Sequence, residues 1–75
     1  MEDSSSEKPT SNIYLHFREK EVLKLLAQNK TYHEVAEEMM LVRQSVYTIV
    51  KNMKLKFGVH YKDELVNYAK AHQLI

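Results

Sequence analysis

The chain has 75 residues, 44% of them hydrophobic, and 11 Lys and Arg against 10 Asp and Glu, for a formal net charge of +1. With no cysteine it has no disulfide and no thiolate metal site, and its single glycine and single proline argue against a many-turned β fold. A chain this short builds one small domain, burying only about 60% of the surface its unfolded form exposes.

Residues 1–12, MEDSSSEKPTSN, carry no apolar side chain after Met1 and predict a disordered arm, with the globular part from Ile13 to Ile75. From Phe17 to Gln28, Val22, Leu23, Leu25 and Leu26 have helical spacing, with Arg18, Glu19, Lys20, Glu21 and Lys24 on the polar side. His16 is the expected N-cap, a weak one, and Asn29 suits the left-handed turn that ends a helix. Thr31-Tyr32-His33-Glu34 is a capping box that opens a second helix, from Tyr32 to Met39, burying Val35, Ala36 and Met39. The joint between the two is only Asn29, Lys30 and Thr31, as in a helix-turn-helix. A third helix runs from Arg43 to Phe57, where Val46, Val50, Met53 and Phe57 form one continuous face and Gly58 is the stop. A fourth covers Lys62 to His72, with Leu65, Val66 and Ala69 inward and Asp63 and Glu64 in its first turn. Leu74 and Ile75 are expected to fold back on the core.

The small net charge conceals a segregated distribution. Residues 39–62 hold Arg43, Lys51, Lys54, Lys56 and Lys62 and no acid, whereas the flanking segments are both net negative. A local field of this kind suits a polyanion; the plain alternative is a solvated helix face. No apolar run approaches the roughly 18 residues of a membrane span.

Taken in order, Arg18-Glu19-Lys20-Glu21-Val22-Leu23, Thr31, Glu34-Val35-Ala36, Ser45-Val46, Lys56-Phe57-Gly58-Val59, Leu65-Val66 and Ala69 make a pattern. It resembles the LuxR/GerE-type helix-turn-helix domain of bacterial transcription regulators over about Leu15 to Ile75. The resemblance implies an all-α, four-helix DNA-binding domain in which the second and third helices form the helix-turn-helix. It implies that the third helix lies in the major groove, where base edges are readable, and that the fourth supports a dimer. The sequence departs from the family pattern at Val42, where Ser or Thr usually caps the third helix, and at Tyr47, usually Lys or Arg. It departs again at Ile49, often His, and at Asn29, usually Gly.

Tyr47, Thr48 and Lys51 match the positions where the family reads bases. Arg43, Ser45, Lys54 and Lys56 are phosphate candidates, as are Thr31, Tyr32 and His33, which open the second helix where free amides attract anions. For Thr31 the capping box is already a sufficient role. Asn67 and Tyr68 are candidates for a dimer face. Met39, Met40 and Met53 could form a soft partner surface or pack in the core. His16, His33, His60 and His72 have no i, i+4 pairing, so no metal or other cofactor is expected, and no nucleophile–base pattern suggests an enzyme.

The expected function is a bacterial, cytoplasmic regulator, more a complete small protein than a fragment, that binds double-stranded DNA as a homodimer. RNA polymerase or another regulator are further possible partners. The rival is an interaction module that kept the fold and lost most of its DNA affinity. Exposure separates them: Tyr47, Ile49 and Leu55 together on the surface favour a protein partner, while buried Ile49 and Leu55 favour DNA.

Overall fold

The structure, a computed structural model, describes residues 15–75. The expected arm over residues 1–12 and the expected domain start at Ile13 lie outside them. The described residues form four helices: α1 (Phe17–Ala27), α2 (Tyr32–Met39), α3 (Arg43–Phe57) and α4 (Lys62–Ala71). None is long and apolar enough to cross a membrane.

The apolar stripes converge on one core. Val22, Leu23 and Leu26 of α1 meet Val35 and Ala36 of α2, Val46, Val50, Met53 and Phe57 of α3, and Leu65 and Ala69 of α4. α1 and α3 are the central pair. Both α2 and α4 pack on each of them, but α2 and α4 do not pack on each other. Leu41, Ile49, Val59, Val66, Leu74 and Ile75 close the rim as half-buried side chains, so the C-terminal tail does fold back. Met39 is also half-buried, Met53 is fully buried, and Met40 is 92% exposed.

Each helix ends on a residue of positive φ, and a chain with one glycine fills those places with other side chains. Asn29 (φ 66°), Met40 (φ 58°), Gly58 (φ 72°) and Gln73 (φ 57°) follow α1, α2, α3 and α4. In each turn an amide just beyond the helix reaches back to a late carbonyl, as from Leu41 to Ala36 and from Leu74 to Ala69, both at 2.8 Å. Asn29 and Gly58 fit the sequence expectation. Met40 and Gln73 do not announce themselves, because long side chains rarely take this conformation.

One expectation is overturned. Glu19 does not lie on the solvent side of α1: it is 6% exposed. Its carboxylate accepts the His16 amide at 3.0 Å and the Lys56 ammonium at 2.7 Å. Burial acts to raise the Glu19 pKa, but the Lys56 ammonium and the His16 amide outweigh it and hold the carboxyl below its ordinary range. The pair fixes the last turn of α3 to the first turn of α1, and with it the pose of α3.

Candidate nucleic-acid interface

α3 is the longest helix, 15 residues, or about 22 Å at 1.5 Å per residue. Its buried face is spent on the core, which turns Tyr47, Thr48 and Lys51 outward as exposed side chains. Among the described residues no carboxylate pairs with Arg43, Lys51 or Lys54. The first turn of α3 contains no acid, and its last turn carries Lys54 and Lys56. The whole outward length of the helix is therefore free of negative charge.

The start of α3 is open in a second sense. Val42 stands at the N-cap position and supplies no side-chain hydrogen bond. The early amides of a helix have no acceptor within it, so those of Arg43 and Gln44 in α3 remain available to an incoming oxygen. Ser45, half-buried, gives its amide to the Val42 carbonyl at 3.0 Å. Its neighbour Arg43 is exposed.

α2 brings its own N-terminus beside that of α3. Thr31 and Glu34 complete the capping box read from the sequence: the Glu34 amide donates to Thr31 Oγ1 at 3.1 Å and the Thr31 amide to Glu34 Oε1 at 2.9 Å. Tyr32 leans toward α3, its ring 5.3 Å from that of Tyr47 and edge-on to it at 68°. Burial, with Tyr47 adding to it, raises the Tyr32 pKa above the usual tyrosine value, so the phenol is a neutral donor at physiological pH. Thr31, Tyr32, His33, Arg43, Tyr47 and Lys62 line one open depression of about 430 Å³.

Two acids of α2 are paired, one of them with a lining residue of the depression. Glu37 lies 3.3 Å from His33 Nε2, and Glu38 holds Lys30 Nζ at 2.9 Å. The Lys30 pKa is raised chiefly by that hydrogen bond to Glu38.

The expected site residues thus fall into three groups. Thr31, Tyr32, His33, Arg43 and Tyr47 come together at the depression, with Thr48, Lys51 and Lys54 following along α3. Lys56 is the exception. Glu19 takes its ammonium at 2.7 Å, which gives it an internal role in tying α3 to α1. Asn67 and Tyr68 stand apart on α4. Asn67 is exposed, while the Tyr68 ring is stacked against Phe57 at 4.6 Å and His72 at 4.1 Å.

Lys62 is the lining residue that was not singled out from the sequence. Its membership of the acid-free segment was visible, but its approach to the start of α2 is a tertiary fact. The exposure test separates Ile49 from Leu55: Ile49 packs on the core rim, and Leu55 is 72% exposed.

Comparison with known proteins gives the family. The family described as "Bacterial regulatory proteins, luxR family" matches residues 14–69. The chain belongs to that family. It is a family of DNA-binding transcription regulators. The chain is also similar to the "Fimbriae Z protein" of Salmonella typhimurium (strain LT2), with 36% identity over 58 residues. That alignment takes in 77% of this chain but 28% of the relative, so the chain spans less than a third of that protein's length.

Proposed function

We propose that the chain regulates bacterial transcription by laying α3 in the major groove of duplex DNA, as a homodimer, at the nucleoid in the cytoplasm. The observation that carries this is the outer face of α3: Tyr47, Thr48 and Lys51 exposed in succession on a helix with no acid on it. A helix fits the major groove, and a lysine there can donate to guanine O6 and N7. Thr48 can meet a thymine methyl or a phosphate, and Tyr47 can bond a phosphate from its braced place against Tyr32. Arg43, Ser45 and Lys54 serve the backbone at the ends and flank of α3, with Thr31, Tyr32 and His33 beside them. Two copies joined through α4, with Asn67 outermost and Tyr68 behind it, would present two recognition helices to half-sites about 34 Å apart.

A second reading has its own observation. Leu55 continues the line of Thr48 and Lys51 at i+7 and i+4, and Val42 at the other end of α3 is 69% exposed. Apolar side chains at both ends of the outer face favour a protein partner such as another regulator or RNA polymerase.

One titration decides between them. Fluorescence anisotropy with a mixed-sequence labelled duplex, repeated at several salt concentrations, should show binding that weakens steeply as salt rises, through counterion release. Lys51→Ala should then cost about 1–3 kcal/mol at a selected site and relax its base preference. Absence of binding at low salt removes the DNA reading and leaves the protein-partner one.

A further inference from the structure

Lys62 opens α4, yet its ammonium reaches the helix-turn-helix. Its Nζ stands 5.5 Å from the centroid of the Tyr32 ring. Because α2 and α4 do not pack on each other, this side chain spans an open gap and fills no core. No carboxylate among the described residues pairs with it.

Its place in α4 is electrostatically poor. The first residue of a helix sits at the positive end of the dipole, where an acid is favoured and a cation is not. The next two residues, Asp63 and Glu64, follow the rule that Lys62 breaks. Arg43 breaks the same rule as the first residue of α3. Both exceptions line the same depression, together with Tyr32 and Tyr47. Arg18 and Lys20 break the rule in the first turn of α1 as well, but only α3 and α4 open on a cation, and those two cations meet at one point in space, a convergence that a functional constraint produces.

We infer that Lys62 is a DNA-backbone contact supplied by α4, working with Arg43 of α3 on the phosphates that pass over the depression. The inference rests on the DNA-binding reading above and extends the interface beyond the helix-turn-helix. Tyr32 is the positioning residue. The face of its ring carries the Lys62 ammonium by cation–π attraction, and its contact with the Tyr47 ring keeps that face in place. The ring, and not the phenol, does this.

The test is salt-dependent anisotropy on the full chain with a mixed-sequence duplex, for the parent, Lys62→Gln, Lys62→Arg and Tyr32→Phe, with a thermal melt of each. Lys62→Gln should weaken binding about five- to tenfold at 0.1 M salt and lower the slope of log K against log[salt] by about 0.9 per bound chain. Its melting temperature should hold or rise, since a cation leaves the start of a helix; a merely structural lysine would lower it. Lys62→Arg should keep the parental slope, and Tyr32→Phe should keep it while binding more weakly, since a neutral phenol that meets a phosphate releases no counterion. A folded Lys62→Gln chain with the parental affinity and slope overturns the inference and leaves the DNA reading intact. A parent that binds no duplex at low salt overturns both.

Discussion

Three helices of this domain begin closed and one begins open. At α1, Glu19 accepts the His16 amide; at α2, Glu34 accepts the Thr31 amide; at α4, Glu64 accepts the amides of His60 and Tyr61 at 2.9 and 3.1 Å. Each carboxylate stands in the first turn of its helix, where it also meets the positive end of the dipole. α3 has Ser45 at the matching place and Val42 at the cap. The three supporting helices are finished internally. The helix that faces outward has neither a first-turn carboxylate nor a side-chain cap, and its positive end is left in the state that favours a phosphate from outside. Stability has been given up at one helix start, and that start borders the open depression lined by Arg43 and Tyr47.

The closed ends are not equal, and the largest effect should come from the buried one. Glu19→Ala removes a hydrogen bond to a cap amide and the ion pair with Lys56. It should cost about 2 kcal/mol, as for a hydrogen bond to a charged group, read as a lower urea midpoint. Glu34→Ala, at an exposed cap, should cost less. Acid should act on the same residues. The Glu19 carboxyl is held below its ordinary value by Lys56 and His16 against burial, and Glu34 and Glu64 are lowered first by their backbone hydrogen bonds. Their contribution is complete above the pKa of an unfolded glutamate and is lost as pH falls through the folded values. The urea midpoint should therefore drop on acidification below about pH 5, and drop less in Glu19→Ala. Equal acid sensitivity in that variant would break the account of the pair.

The open end can be closed by design. Val42→Thr supplies the missing cap and should stabilise the fold by about 1 kcal/mol. Val42→Asp supplies the cap and a charge for the dipole, with a similar gain. If the open end serves DNA, the two part company in anisotropy: Val42→Asp should bind duplex several-fold more weakly than Val42→Thr at equal salt. Equal binding by the two would mean that the start of α3 stays away from the backbone.

Most of this architecture was legible because period and turn chemistry agreed along the chain. The apolar spacing of Val46, Val50, Met53 and Phe57 and the stop at Gly58 defined α3 to the residue, and the Thr31–Glu34 box defined the start of α2. The equivalent carboxylates Glu19 and Glu64 were harder to read, since His16 and Tyr61 in front of them hide the Ser or Thr half of the signature. Glu19 looked exposed because a charged residue among charged neighbours usually is. Only its contact with Lys56, 37 positions away, explains its burial. Lys62 stayed out of the candidate site for the same reason. Spacing along one helix says which face a side chain shares. It says nothing of a reach from α4 to α2 across a gap.

The smallest effect tests the other ends of the helices. Met40 and Gly58 do the same work, closing α2 and α3 in the left-handed region at φ 58° and 72°. Gly58 does so without steric cost, while Met40 carries a Cβ against the following carbonyl. Its side chain is 92% exposed, so little packing compensates. Met40→Gly relieves the strain but makes the unfolded chain freer. The net gain should be about 0.5 kcal/mol, read as a slightly higher melting temperature. Gly58→Ala has open space for its methyl, with nothing within 4 Å, so any loss there measures the backbone conformation alone. If Met40→Gly instead lowers the melting temperature, the exposed Met40 side chain contributes a contact that offsets its strain, and the corner between α2 and α3 is more than a turn.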